Sequence, residues 1–374
     1  MNSNPDPALD GLVERVRAAR AERRSLAILG GGSKAFYGGA PLGDALDVTA
    51  LAGISSYEPT ELVVTARAGT TLAELEAALA EKGQCLPFEP PRFAVNATSD
   101  VVAPRRGTVG GMVAAGLSGP ARAAVGGVRD YVLGATLLNG RGEVLSFGGQ
   151  VIKNVAGYDV SRLLAGSMGT LGVILEVSLK VLPLAPATAT LRFELDEARA
   201  LAQLNAWGGQ PLPINASAWW SGMLVVRLSG AVAAVQSAAA KLGGEEVEPA
   251  LAATFWAGMR DQGDEFFVGA ARAVDGGATL WRLSLPQTAP PLELSGEHLV
   301  EWGGAQRWVV TTAPAPAIRD AAARVRGHAT VFRGDKSAGA FTPLSAPLAR
   351  IHRELKAAFD PDRIFNPGRL YPNL

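Results

Sequence analysis

Leu26-Ala-Ile-Leu-Gly30-Gly31-Gly32-Ser33-Lys34-Ala-Phe-Tyr-Gly-Gly39 places three consecutive glycines, a serine and a lysine directly behind a short apolar strand. Gly30, Gly32 and Ala35 match the G-x-G-x-x-G/A spacing of a dinucleotide fold, and the Gly-Ser-Lys order approaches a phosphate loop. Both patterns require a helix to open behind the glycines, because the helix N-terminus holds the phosphates. Gly38, Gly39 and Pro41 follow instead, and no amphipathic helix runs through them. A phosphate loop also needs Gly-Lys-Ser/Thr, an order absent from this stretch. What remains is a glycine-rich loop between strands. Its N–H groups can converge on an anion, Ser33 adds a hydroxyl, and no Cβ blocks approach.

Around this loop lie 374 residues, 48% of them hydrophobic, with 35 basic and 35 acidic side chains. The length suits two or three domains with their own cores. A balanced charge offers no global pull on nucleic acid or anionic membrane. Cys85 is the single cysteine, so no internal disulfide forms and a cysteine-ligated zinc or iron–sulfur site has no ligand set. The first residues lack the apolar core of a signal peptide, and no run approaches the roughly 20 residues of a membrane span. These features are expected of a cytoplasmic protein, one that partners could hold at a membrane.

The chain divides by composition. Up to about residue 185 it is rich in glycine clusters and free of tryptophan. All seven tryptophans follow the stretch LPLAPATAT, residues 182–190. Asp6 and Pro7 open a first helix, with Leu9, Leu12, Val13 and Val16 on one face. Thr71 and Glu74 form a capping box before the Leu72, Leu75, Leu79 stripe, and Gly83 stands at its end. Asn139–Gly140 signals a hairpin. Beyond the boundary, strands read at LVVRLS, LWRLSLP, RWVVTT and ATVFRG, with small-residue helices from Ala231 to Leu242 and at AIRDAAARVRG. The tryptophans read as filler between sheet and helices, with a substrate pocket the competing reading. A final amphipathic helix ends at Asp360–Pro361. The expected class is α+β, not a strict β–α alternation.

Two more glycine clusters accompany the first. Thr108, Gly110 and Gly111 precede a short smooth helix, followed by Gly116, Ser118 and Gly119. Gly169, Thr170 and Gly172 lead into a strand beginning Val173–Ile174. With the ending Phe-Asn366-Pro-Gly-Arg-Leu, these clusters resemble the FAD-binding fold shared by vanillyl-alcohol oxidase, p-cresol methylhydroxylase (PCMH) and the FAD-linked 2-hydroxy-acid dehydrogenases. The resemblance covers about the first 185 residues and the last 30. It implies a two-part PCMH-type FAD-binding domain (1–185), a compact α+β, ferredoxin-like second domain (186–340) and a C-terminal segment (341–374) packing back on the first. It further implies that Gly30, Gly31, Gly32, Ser33 and Lys34 cradle the FAD pyrophosphate. Thr108, Gly110, Gly111, Gly116, Ser118 and Gly119 line the flavin and pyrophosphate, Gly169, Thr170, Gly172, Val173 and Ile174 back the adenine side, and Asn366 closes the tail. Covalent members carry a histidine or cysteine near the flavin. The loop here has Ser33 and Lys34 instead, so FAD is expected to be non-covalent.

The stretch from Val128 to Gly172 resembles the smaller FAD-binding subunits of bacterial glycolate oxidases. That implies partners: a larger FAD-linked glycolate oxidase subunit and an iron–sulfur subunit, the assembly oxidising a small 2-hydroxy acid, glycolate, to glyoxylate. The clusters would then sit on a partner. Such oxidation needs a base for the hydroxyl proton and a cation for the carboxylate. The family's H-x-G-D-G-N-x-H-like segment corresponds to GHATVFRGD, residues 327–335, where His328 survives but the rest does not. His328 as base and Arg333 as clamp are the catalytic candidates. The competing reading is a strand-end pair serving backbone or an interface, with the main reaction on the partner subunit. No metal site is expected. His352 reads as a solvated surface residue, and Arg105 and Arg106 as a phosphate-neutralising or merely solvated pair. The competing functions are a stand-alone D-lactate-type dehydrogenase and a non-catalytic scaffold.

Overall fold

The computed structural model describes residues 6–93, 107–149 and 159–374. Arg105 and Arg106 lie outside them. Asp6 caps helix α1 (Pro7–Ala21), its carboxylate accepting from the Ala8 and Leu9 N–H groups, and Leu12, Val16 and Ala19 are buried. Strands β1 (Leu26–Leu29) and β2 (Asp44–Asp47) run parallel, and Phe365 from the far end of the chain bridges to Leu26 in the same sense. The opening stretch is therefore a strand that leaves its sheet at Gly30.

Next come β3 (Ile54–Glu58), β4 (Val63–Arg67), α2 (Leu72–Ala80), β5 (Gln84–Cys85), α3 (Val109–Ala115), α4 (Arg122–Val125), α5 (Val128–Tyr131), β6 (Val132–Leu138), β7 (Val144–Gly148), β8 (Val173–Lys180) and β9 (Leu182–Pro183). An antiparallel sheet in the order β3-β4-β8-β6-β7 carries α2 and α3 on one face. Thr71 Oγ1 accepts the Glu74 N–H at 3.1 Å, one arm of the expected capping box. The Leu72, Leu75, Leu79 stripe is buried against Val64, Met112, Ile174 and Val177. The Asn139–Gly140 hairpin differs from a two-residue turn. Leu138 pairs with Val144, and Asn139 Oδ1 bonds the Arg141 and Glu143 N–H groups across a five-residue loop.

From Ala187 onward the strands are β10 (Ala187–Glu194), β11 (Ile214–Trp220), β12 (Met223–Gly230), β13 (Glu245–Glu246), β14 (Thr279–Ser284), β15 (Glu297–Glu301), β16 (Gln306–Thr311) and β17 (His328–Arg333). They form one sheet in the order β13-β10-β12-β11-β15-β16-β14-β17, antiparallel throughout. Helix α6 (Glu197–Gly208) links β10 to β11, and α7 (Val232–Leu242) links β12 to β13. That half has the βαββαβ, 4-1-3-2 arrangement of a ferredoxin-like unit. The second half repeats the strand order in mirror sequence, 2-3-1-4. Helix α10 (Ala315–Arg324) fills its second helix position and an extended proline-containing stretch, 285–296, its first. The expected compact ferredoxin-like unit is thus doubled, joined edge to edge through β11 and β15. Helices α8 (Pro249–Asp261) and α9 (Glu265–Asp275), which the sequence pattern does not single out, cover the face turned toward the glycine loops. One apolar cluster joins Trp256 and Phe266 of these helices to Tyr37, Phe93, Met168, Trp308 and Phe332. Helix α11 (Ala346–Phe359) carries the chain back to β1.

Candidate functional site

The three glycine clusters and the tail meet around one cleft of about 850 Å³, open mouth included. Its described lining contains Ile28, Gly30, Gly31, Gly32, Ser33, Lys34, Ala68, Thr108, Gly110, Gly111, Ala114, Met168, Gly169, Gly172, Ile174, Asn366 and Arg369.

The first loop turns at Gly32, whose φ of +70° disfavours any side chain. Ala35 and Tyr37 N–H groups close local turns onto the Gly32 and Lys34 carbonyls. On the carbonyl side the loop is gripped by cations. Arg369 donates to Ala35 O, Tyr37 O and Gly39 O, and Lys336 to Phe36 O. On the amide side, the N–H groups of Gly31, Gly32, Ser33 and Lys34 donate to no acceptor among the described residues. Consecutive free N–H groups of this kind form an anion-binding concavity.

The second cluster is the start of α3. Thr108 Oγ1 accepts the Gly111 N–H at 3.3 Å, and the Gly110 N–H donates to Ala68 O at 2.8 Å. A Cβ at Gly110 would stand 2.7 Å from Ala68 Cβ, and one at Gly30 would strike Thr108 Oγ1. The loop, α3 and β4 can approach only because these positions lack side chains. At the third cluster Gly169 faces Asn366, which donates to Met168 O (2.7 Å) and accepts from Ile28 N–H (2.8 Å). Asn366 is held by the tail. The buried Lys356 ammonium donates to Thr170 O, Phe365 O and Asp360 Oδ2, and the Asp360 carboxylate accepts from Ile364 and Phe365 N–H.

Not every residue read from sequence reaches the cleft. Gly116 ends α3 in a left-handed cap beside Gly166, and Ser118 Oγ accepts the Val128 N–H. Gly119 O accepts from Trp302 Nε1, Thr170 O from Lys356, and Val173 belongs with Leu12 and Leu26 to another core. These five brace the walls. Arg369 and Met168, on the lining but absent from the sequence reading, were within reach of it: Arg369 is the arginine of the Asn-Pro-Gly-Arg tail.

The catalytic pair is not brought together. His328 and Arg333 are the first and last residues of β17, about 17 Å apart along an extended strand. One small acid cannot touch both. His328 is exposed at the sheet edge, whereas the Arg333 guanidinium lies 3.7 Å above the Phe36 ring. His352 is half-buried edge-on to Tyr371 rather than solvated, and His298 bonds Leu294 O. No group of three or more His, Cys, Asp or Glu suits a metal among the described residues.

Where the loop meets the eight-stranded sheet, aromatic rings close the space. Phe36 packs on Phe93 (5.4 Å) and Phe332 (5.3 Å), and Phe332 on Trp308 (4.8 Å). Behind them Glu301 accepts from Trp308 Nε1 and Gln306 Nε2, and complete burial pushes its carboxyl up to about 7.

A family model described as an FAD binding domain matches residues 9–148. The chain is 47% identical over 364 residues to the glycolate oxidase subunit GlcE of Escherichia coli K12, covering 97% of each protein. It is 29% identical over 150 residues to the glycolate oxidase subunit GlcD of Bacillus subtilis 168, covering 40% of this chain and 30% of that one. In architecture it matches an alkyldihydroxyacetonephosphate synthase at 14% identity and a TM-score of 0.62, over 96% of this chain and 74% of that one. A glycine-lined cleft on an FAD-binding fold, with near end-to-end similarity to one curated protein, places the chain in its family: it belongs to the GlcE family of glycolate oxidase subunits.

Proposed function

We propose that this chain is the FAD-binding subunit of an assembly that oxidises glycolate to glyoxylate. The observation that carries the reading is the 47% identity to GlcE over 97% of both chains, together with a loop whose unused N–H groups suit a diphosphate. Residues 1–185 form the cofactor-binding domain, 186–340 the second domain, and 341–374 the returning segment. Gly30, Gly31, Gly32, Ser33 and Lys34 take the diphosphate. Thr108, Gly110 and Gly111 flank the flavin side, Gly169, Gly172 and Ile174 the adenine side, and Asn366 fixes the wall between them. Bound FAD supplies a two-electron acceptor that can also pass electrons on singly. The described lining carries no histidine or cysteine, which supports a non-covalent cofactor.

The partners are a larger FAD-linked subunit and an iron–sulfur subunit. One cysteine cannot ligate a cluster, so the clusters belong to another chain. No helix among the described residues is long and apolar enough to cross a membrane, so attachment to a membrane would come through those partners. With His328 and Arg333 at opposite ends of β17 and aromatic rings at the sheet boundary, substrate oxidation belongs to the larger subunit. This chain then serves electron transfer. An anaerobic visible spectrum of the purified chain, before and after glycolate, tests both halves. Flavin bands that remain oxidised are expected. Bleaching would return the chemistry to this chain, and a colourless protein that refuses FAD would overturn the cofactor assignment.

A further inference from the structure

Among the described lining of the cleft only two side chains carry a charge, Lys34 and Arg369. Arg369 directs its guanidinium at three backbone carbonyls of the loop. Lys34 does the opposite. It is 9% exposed, and its ammonium has no hydrogen-bond partner among the described residues. Its nearest neighbours cannot neutralise it. The Phe93 ring centroid lies 5.8 Å from Nζ, and another cation, Arg333, lies 5.9 Å from the same centroid. Among the described residues Asp261, at the end of α8, is the one acid whose field reaches it, and both Asp261 oxygens are engaged by Arg260. A buried ammonium left without a partner is costly. This one belongs to the same loop as four consecutive N–H groups that also lack acceptors among the described residues. Charge and donors are both prepared for something anionic.

We propose that Lys34 is the counter-charge of a diphosphate-bearing ligand on the Gly30–Lys34 loop. The inference rests on the FAD reading and adds to it which side chain reads the ligand's charge. In oxidised FAD the diphosphate is the charged part at neutral pH, so an ammonium serving the bound cofactor serves that bridge. Burial lowers the free lysine to about 8, with Asp261 opposing weakly. A diphosphate beside it favours the charged form and raises it again. Binding is therefore strongest below about 8 and weakens as the free lysine loses its proton above that.

Calorimetry on the flavin-stripped full chain separates the parts of the ligand. ADP carries the diphosphate without flavin, and riboflavin the flavin without diphosphate. Lys34→Met is expected to weaken ADP about ten- to hundredfold at pH 7 and leave riboflavin unchanged. Lys34→Arg, which stays charged, is expected to keep ADP affinity and abolish its decline above about pH 8. Unchanged ADP affinity in Lys34→Met, or an equal loss for riboflavin, overturns the proposal. Wild-type chain that binds no FAD overturns the cofactor reading itself. FAD bound equally by wild type and Lys34→Met removes only the role of the lysine.

Discussion

Glu301 shows what one side chain costs when it is buried for packing. Its carboxyl sits beneath Trp308 and Gln306 at the sheet boundary, without a salt-bridge partner among the described residues, and full burial pushes its pKa up to about 7. The unfolded chain releases that proton near the ordinary glutamate value, so the unfolded state gains from each pH step that the folded state resists. Stability contributed by the protonated acid is complete below the unfolded value and declines as pH rises through about 7. Glu301→Gln, which keeps an acceptor for Trp308, is expected to flatten this decline. Thermal melts at pH 5 and pH 8 should differ less in the variant than in wild type, and an identical pH dependence would contradict the assignment. Glu301 was not visible as special in the sequence. Its burial arises from β15 and β16 meeting side by side, a pairing that no local pattern announces.

At the scale of elements, the returning helix α11 is unusual in what it buries: Lys356, a lysine, is its one fully buried side chain. Through Thr170 O, Phe365 O and Asp360 it joins the third glycine cluster to the tail that carries Asn366 and Arg369. Removing one member of a buried ion pair leaves the other uncompensated. Lys356→Met is expected to cost about 3–5 kcal/mol in urea unfolding and to speed flavin release, since Asn366 loses its anchor. Replacing Lys356 and Asp360 together by apolar residues should cost less than the single change. A single variant as stable as wild type would show that the pair carries no stability. Helices α2 and α11 were readable because leucines or basic residues recur at helical spacing around clear caps. Helices α6, α8 and α9 were not read, although α6 buries Ala200, Leu201, Leu204 and Trp207 behind an Asp196 cap and α9 buries Phe266, Phe267 and Ala270 behind an Asp264 cap, so the helical period was present in the sequence.

For the molecule as a whole, the decisive contact is between the glycine-rich part and the large sheet. Glu89, held at a φ of +49°, accepts from Ala121 N–H and pairs with Arg227 of β12 at 2.7 Å. Trp302 Nε1 reaches Gly119 O, and Arg282 of β14 reaches the Tyr37 hydroxyl. The Glu89–Arg227 pair is mostly buried, so Glu89→Ala should lower stability by about 1–3 kcal/mol. A double-mutant cycle with Arg227→Ala should return a coupling of about 0.5–3 kcal/mol. Strict additivity of the two changes would mean that the pair does not link the two parts.

The amino-acid sequence by itself determined the three glycine turns, the caps that start and stop the regular helices, the break near residue 185 and the identity of the loop side chains. These are local backbone demands: a positive φ, a missing Cβ or a capping hydroxyl is written into a few adjacent residues. The tertiary structure alone decided that the three turns and the tail share one cleft, that Lys34 is enclosed without a partner among the described residues, and that the ferredoxin-like unit is doubled. It also separated His328 from Arg333, neighbours in a short motif that an extended strand holds about 17 Å apart. Distance along a chain becomes distance in space only once strand register and sheet order are set, and those depend on packing between residues far apart in sequence.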